Sequence, residues 1–118
     1  MTFSSRTQNP DFEGVYDISP EELARCSANE VAMIDVREPA EYVGELGHIA
    51  EAKLIPLATI PEQVTGLSKE STVVFVCRSG GRSARAAAFA QSLGFQNAYN
   101  MKGGMILWNA LGLPVVKA

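Results

Sequence analysis

One stretch of this chain combines residue types that can do chemistry together: Cys77-Arg78-Ser79-Gly80-Gly81-Arg82-Ser83. The cysteine follows the apolar run Thr72 to Val76, whose β-branched residues favour an extended strand. Arg82 opens an Ala-rich run to Leu93, a good helix former that stops before Gly94. Cys77 therefore falls at the carboxyl end of a buried strand, where open α/β sheets hold their ligands. Two glycines let the backbone turn tightly enough for successive N–H groups to converge. The following helix start adds unpaired N–H groups and a positive dipole end. With Arg78, Arg82 and Arg85 nearby, such a cradle favours an anion, here the thiolate or persulfide of Cys77 itself. An isolated cysteine at a strand end is commonly an inert packing residue; an apolar strand, a Gly-Gly loop with arginines and a helix in succession argue for a reactive one.

The elements that must position this loop can be read along the chain. Residues 1–13, rich in Ser, Thr, Asn and Gln, read as a loose lead-in, and residues 14–118 as a single domain. Strands are expected at Val15 to Ile18, Val31 to Val36, Lys53 to Ile55, Thr72 to Val76 and Asn97 to Tyr99. Ser19 is placed to cap a helix running through about Arg25, with Pro20 at its first position and Glu22 closing a capping box. A short helix is expected from Glu38-Pro39, a weak one over Ile60 to Leu67, a strong one over Arg82 to Leu93 and a last one over Met105 to Leu111. This alternation predicts an α/β domain with a central, mainly parallel five-stranded sheet flanked by helices on both faces. Asp35 and Arg37 end a parallel strand on the same edge as Cys77, where they can fix the arginines of the loop; helix capping and an exposed ion pair is the plainer reading.

Composition narrows the function further. A chain of 118 residues, 47% hydrophobic and 19% charged, is long enough for one core, and its net charge of -3 supplies no long-range attraction for nucleic acid or an anionic membrane. Two cysteines and one histidine are too few for a disulfide framework or a zinc site, so no metal and no cofactor is expected. No apolar stretch reads as a secretory signal or a membrane span, and the expectation is a cytoplasmic protein whose thiol stays reduced.

At these residues the chain resembles the rhodanese-like sulfurtransferases. The resemblance takes in Asp35-Val36-Arg37-Glu38, Glu41-Tyr42, Gly47-His48-Ile49, Ile55-Pro56-Leu57, the Cys77 to Ser83 loop, Gly94-Phe95, Asn100, Gly103-Gly104, Trp108 and Gly112 to Val115, nearly everything after Asp17. It implies a cysteine, here Cys77, that takes a sulfane sulfur from a donor such as thiosulfate, forms a persulfide, and passes the sulfur to cyanide or a thiol in ping-pong fashion. Arg78, Ser79, Gly80, Gly81, Arg82 and Ser83 become the anion cradle. Arg78 and Arg82 can bind sulfonate oxygens, and the hydroxyls of Ser79 and Ser83 can donate to the persulfide; Arg78 can equally brace the loop by pairing with an acid. Attack by a preformed thiolate needs no catalytic base.

Two other readings stay open. A relay module would accept its sulfur from a partner protein and turn over small donors poorly. The cysteine-based phosphatases and arsenate reductases encircle their oxyanion with Cys-x5-Arg, whereas Cys77 to Arg82 is Cys-x4-Arg, a smaller ring. His48 reads as a hydrogen-bonding loop residue, Cys26 as a packing residue and Trp108 as core. Glu51, where relatives often have glycine, and Glu41, where some two-domain relatives carry a donor-binding arginine, depart from the family pattern and point to weak use of thiosulfate.

Overall fold

The computed structural model describes residues 3–117. Six strands form one sheet: β1 (Thr7–Gln8), β2 (Tyr16–Ile18), β3 (Ala32–Asp35), β4 (Lys53–Leu54), β5 (Thr72–Val76) and β6 (Asn97–Met101), in the order β1-β2-β6-β5-β3-β4. All neighbours are parallel except β1 and β2. The helices are α1 (Pro20–Ala24), α2 (Pro39–Tyr42), α3 (Ile60–Gln63), α4 (Gly81–Ser92) and α5 (Gly104–Ala110).

The near-continuous apolarity of β5 has its cause here. Val73 and Phe75 enter a core with Ile60 and Val64 and with Ala86, Ala87 and Ala90 of α4, while Val74 and Val76 enter a second core with Leu23 of α1 and Met105 and Trp108 of α5. Alternate side chains of a strand point to opposite faces, so a strand covered on both must be apolar throughout. The α/β sheet with helices on both faces is therefore as expected.

The strand count is not. Five strands were expected; the sixth, β1, lies in the stretch 1–13 expected as a loose lead-in. Phe3 is buried edge-on against Tyr99, with ring centroids 5.0 Å apart. The backbone N–H groups of Ser4 and Ser5 donate to the Glu22 carboxylate at 2.9 Å, and Gln8 Nε2 donates to the carbonyls of Asn9 and Phe12 at 2.8 Å. Polar side chains bonding to backbone hold this segment, and such bonds leave no apolar periodicity to read. They also open the expected capping box at α1. Ser19 Oγ does accept from the Glu22 N–H at 3.2 Å, but Glu22 turns to the lead-in and the Ser19 N–H goes to Ser5 Oγ. At the other end β6 runs two residues further than expected, through Asn100 and Met101.

Candidate active site

Strand β5 delivers Cys77 to the carboxyl edge of the sheet, one residue past the Asp35–Val76 register pair of β3 and β5. The chain then turns through residues 78–80 and enters α4 at Gly81. Gly80 carries the turn with φ +107°, a left-handed conformation that other residues rarely adopt. Its N–H donates to Cys77 Sγ at 3.0 Å, and the hydroxyl of Ser83, in the first turn of α4, lies 3.2 Å from the same sulfur. Cys77 is only 1% exposed, so these donors act where water does not compete.

The orientation of the loop is set from the far side. Cys77 and Arg78 turn their carbonyls onto the first turn of α5, accepting from Met105 N at 2.8 Å and Ile106 N at 3.0 Å. With those carbonyls facing outward, the loop keeps its donors for the sulfur. The approach is so close that a Cβ on Gly104 would sit 2.4 Å from Arg78 O and 2.6 Å from Cys77 O. Gly104, a residue of the family resemblance, lets α5 touch the loop.

The arginines of the loop divide. Arg82 is committed: its two terminal nitrogens reach the two Glu41 oxygens on α2, each at 2.8 Å. The hydrogen bonds from Arg82 hold the Glu41 carboxyl down to about 2, against a smaller opposing effect of burial and with help from the Glu38 N–H and the charges of Arg82 and Arg37. The same bonds push the Arg82 guanidinium up. Arg78 and Ser79 are exposed, and Arg78 lines a cleft of about 310 Å³ with Ala40, Glu45 and Leu46 of the α2 region. The acid-braced arginine is thus Arg82, not Arg78. Gly81 is exposed, and a Cβ there would meet nothing within 4 Å.

Asp35 and Arg37 lie near the loop but do not fix its arginines. They bind each other: Arg37 Nη2 to Asp35 Oδ2 at 2.8 Å and Nε to Oδ1 at 2.9 Å, both residues being almost fully buried. Arg37 Nη2 also donates to Gly47 O at 2.7 Å, tying the chain after α2 to the sheet edge. This buried pair replaces the exposed one the sequence suggested. His48 bonds through Nδ1 to Tyr42 O at 2.7 Å, stacks on the Tyr42 ring at 3.6 Å, and exchanges backbone bonds with Val116, a bracing role. Cys26 bonds to Glu22 O, and burial together with Glu30 and Glu22 pushes its thiol up. Trp108 is core, with Nε1 donating to Pro114 O at 2.9 Å. Among the described residues no three His, Cys, Asp or Glu side chains come together as a metal-ligand set.

One feature was missed. Ser83 Oγ lies 2.5 Å from Asn100 Oδ1; Asn100 Nδ2 donates to Asp17 Oδ1 at 2.9 Å, and Asn9 Nδ2 donates to that same oxygen at 2.9 Å. All four residues are buried. Asn100 belonged to the family resemblance, but its partner became visible only through the β2–β6 register, which sets Asp17 opposite Asn100.

Similarity to known proteins agrees with this geometry. The family model described as "Rhodanese-like domain" matches residues 19–111. A sulfurtransferase of Allochromatium vinosum is 36% identical over 104 residues, covering 86% of this chain and 95% of that protein. A thiosulfate sulfurtransferase of Pseudomonas paraeruginosa is 30% identical over 94 residues, covering 80% and 84%. The crystal structure of a rhodanese-related protein from Thermoplasma volcanium superposes with a TM-score of 0.76 at 31% identity, covering 86% of this chain and 98% of that one. With Cys77 at the head of the loop between β5 and α4, the chain belongs to the rhodanese-like sulfurtransferase family.

Proposed function

We propose that this protein moves a sulfane sulfur from thiosulfate to cyanide or a thiol through a persulfide on Cys77. The observation that carries the reading is the Gly80 N–H on the sulfur, with the Ser83 hydroxyl 3.2 Å from it, in a loop whose carbonyls are drawn away by α5. The Cys77 thiolate attacks the outer sulfur of thiosulfate, the S–S bond of the donor breaks, and sulfite leaves with the bonding electron pair. The new persulfide carries its charge on the terminal sulfur. Cyanide then takes that sulfur as thiocyanate, or a thiolate takes it as a new persulfide, and the Cys77 thiolate is restored. No net oxidation occurs and no metal or organic cofactor is needed. The two half-reactions share one site, so ping-pong kinetics follow. Arg78, exposed at the cleft, is the cation for the sulfonate oxygens, and Ser79 lies beside it.

A second reading draws on the Arg82–Glu41 pair. With Arg82 paired to Glu41, Arg78 is the loop arginine that remains to face an anionic donor among the described residues, which weakens thiosulfate binding and favours sulfur delivered by a partner protein. The phosphatase alternative gains nothing from the site, because Arg82 reaches toward Glu41 while an oxyanion-encircling loop would need its arginine. A cytoplasmic location fits a nucleophile that must stay reduced, and among the described residues no helix is long and apolar enough to cross a membrane.

The test is direct. Reduced protein is incubated with thiosulfate, freed of excess, and weighed intact beside a Cys77→Ser control. A gain of one sulfur atom, absent from the control, is expected. No gain, with Cys77 still open to alkylation, rejects thiosulfate as donor and leaves the protein-delivered reading.

A further inference from the structure

The buried chain Cys77–Ser83–Asn100–Asp17 poses a problem of proton counting. The Ser83 hydroxyl has one proton and two acceptors within reach: Cys77 Sγ at 3.2 Å and Asn100 Oδ1 at 2.5 Å. Asn100 cannot turn its amide nitrogen toward Ser83 instead. Its Nδ2 donates at 2.9 Å to Asp17 Oδ1, an oxygen that also accepts from Asn9 Nδ2 at 2.9 Å. Asn100 therefore presents a carbonyl, and only a carbonyl, to Ser83. The alternation of β6 and the opposition of Asp17 and Asn100 place both on the sheet face that carries α4.

We propose that Asn100, locked by Asp17, is a positioning residue that competes with Cys77 for the Ser83 proton. With Cys77 as the thiol, its S–H donates to Ser83 Oγ and the Ser83 O–H donates to Asn100, so the sulfur receives only the Gly80 N–H. With Cys77 as the thiolate, sulfur can no longer donate. Ser83 rotates its O–H onto the charged sulfur and gives up Asn100. The hydroxyl is thus withheld from the neutral sulfur and released to the anion. This inference rests on Cys77 being the reacting atom, but not on any sulfur donor.

Alkylation of Cys77 by iodoacetamide at fixed neutral pH tests it, because the rate follows the thiolate and needs no thiosulfate. Failure of sulfur loading and failure of this inference are then read separately. Peptide-resolved mass spectrometry keeps Cys77 apart from Cys26. Asn100→Leu removes the competing acceptor, and the Cys77 rate should rise about two- to tenfold, the worth of one hydrogen bond. Ser83→Ala should slow alkylation, and in that background Asn100→Leu should change nothing, since the hydroxyl through which it acts is gone. Circular dichroism and urea midpoints verify folding. Should Asn100→Leu strand the Asp17 carboxylate and unfold the protein, Asp17→Asn/Asn100→Leu replaces it against Asp17→Asn alone. An equal acceleration with and without the Ser83 hydroxyl would show that Asn100→Leu merely opens the pocket and would overturn the proposal; so would an unchanged or slower rate when Ser83 is present.

Discussion

Gly104→Ala bears most directly on how the loop is held. The new Cβ would lie 2.4 Å from Arg78 O, 2.5 Å from Arg78 C and 2.6 Å from Cys77 O, all backbone atoms with no rotamer to yield. Ordinary contact begins near 3.4 Å, so 3.4 minus 2.4, about 1 Å, must be found by backing α5 off the loop. The Met105 N to Cys77 O and Ile106 N to Arg78 O bonds, now 2.8 and 3.0 Å, do not survive a shift of that size. Each is worth on the order of 1 kcal/mol. Alanine at φ +60° adds roughly 1–2 kcal/mol of backbone strain. The total, about 3–4 kcal/mol, is a large part of the roughly 5–15 kcal/mol that stabilises such a domain, yet leaves it folded. Gly112→Ala is the internal control: φ is +72° but no atom lies within 4 Å, so it carries the strain without the clash. Urea unfolding should place Gly104→Ala about 2 kcal/mol below Gly112→Ala, and sulfur loading of the folded protein should fall sharply only in Gly104→Ala. Equal stability of the two variants, with Gly104→Ala loading sulfur at the wild-type rate, would refute the claim that α5 orients the loop.

Other expectations follow from the same contacts. Gly81→Ala, with an ordinary φ and open space around the new methyl, should leave the urea midpoint unchanged or raise stability by up to about 1 kcal/mol, as for Gly to Ala in a helix. Glu41→Gln should lower the apparent KM for thiosulfate in a steady-state thiocyanate assay, because it releases the Arg82 charge. Its stability effect should be under about 1 kcal/mol, because the pair is partly exposed and screened by salt. The folded Glu41 carboxyl sits near 2, below its ordinary 4.5. The pair's contribution is therefore whole above 4.5 and lost as pH falls through the interval toward 2, and acid titrations of wild type and Glu41→Gln should converge there. Arg37→Ala leaves Asp35 buried without its cation and should cost about 3–5 kcal/mol by urea unfolding.

Much of the candidate site is legible in the sequence because it is local. Cys77, Gly80 and Ser83 lie within one strand-turn-helix passage, and the apolar run of β5, the glycine pair and the Ala-rich α4 are each encoded in contiguous residues. The lead-in escaped for a different reason: β1 is two residues long and is held by Ser4, Ser5 and Gln8 bonding to groups elsewhere, a pattern with no period.

What the sequence by itself determined is the strand-turn-helix passage that holds Cys77, the direction of the chain around it and the parallel α/β order that sets it at a sheet edge. Only tertiary structure decided which donor each acid meets. Glu41 takes Arg82 across 41 residues, Asp35 takes the neighbouring Arg37 instead of a loop arginine, and Asp17 finds Asn100 across 83. Local order is set by torsions and hydrophobic period, which neighbouring residues carry among themselves. A carboxylate is satisfied by any donor the fold brings within about 3 Å, and only the packing of α2, α4 and β2 chooses among them.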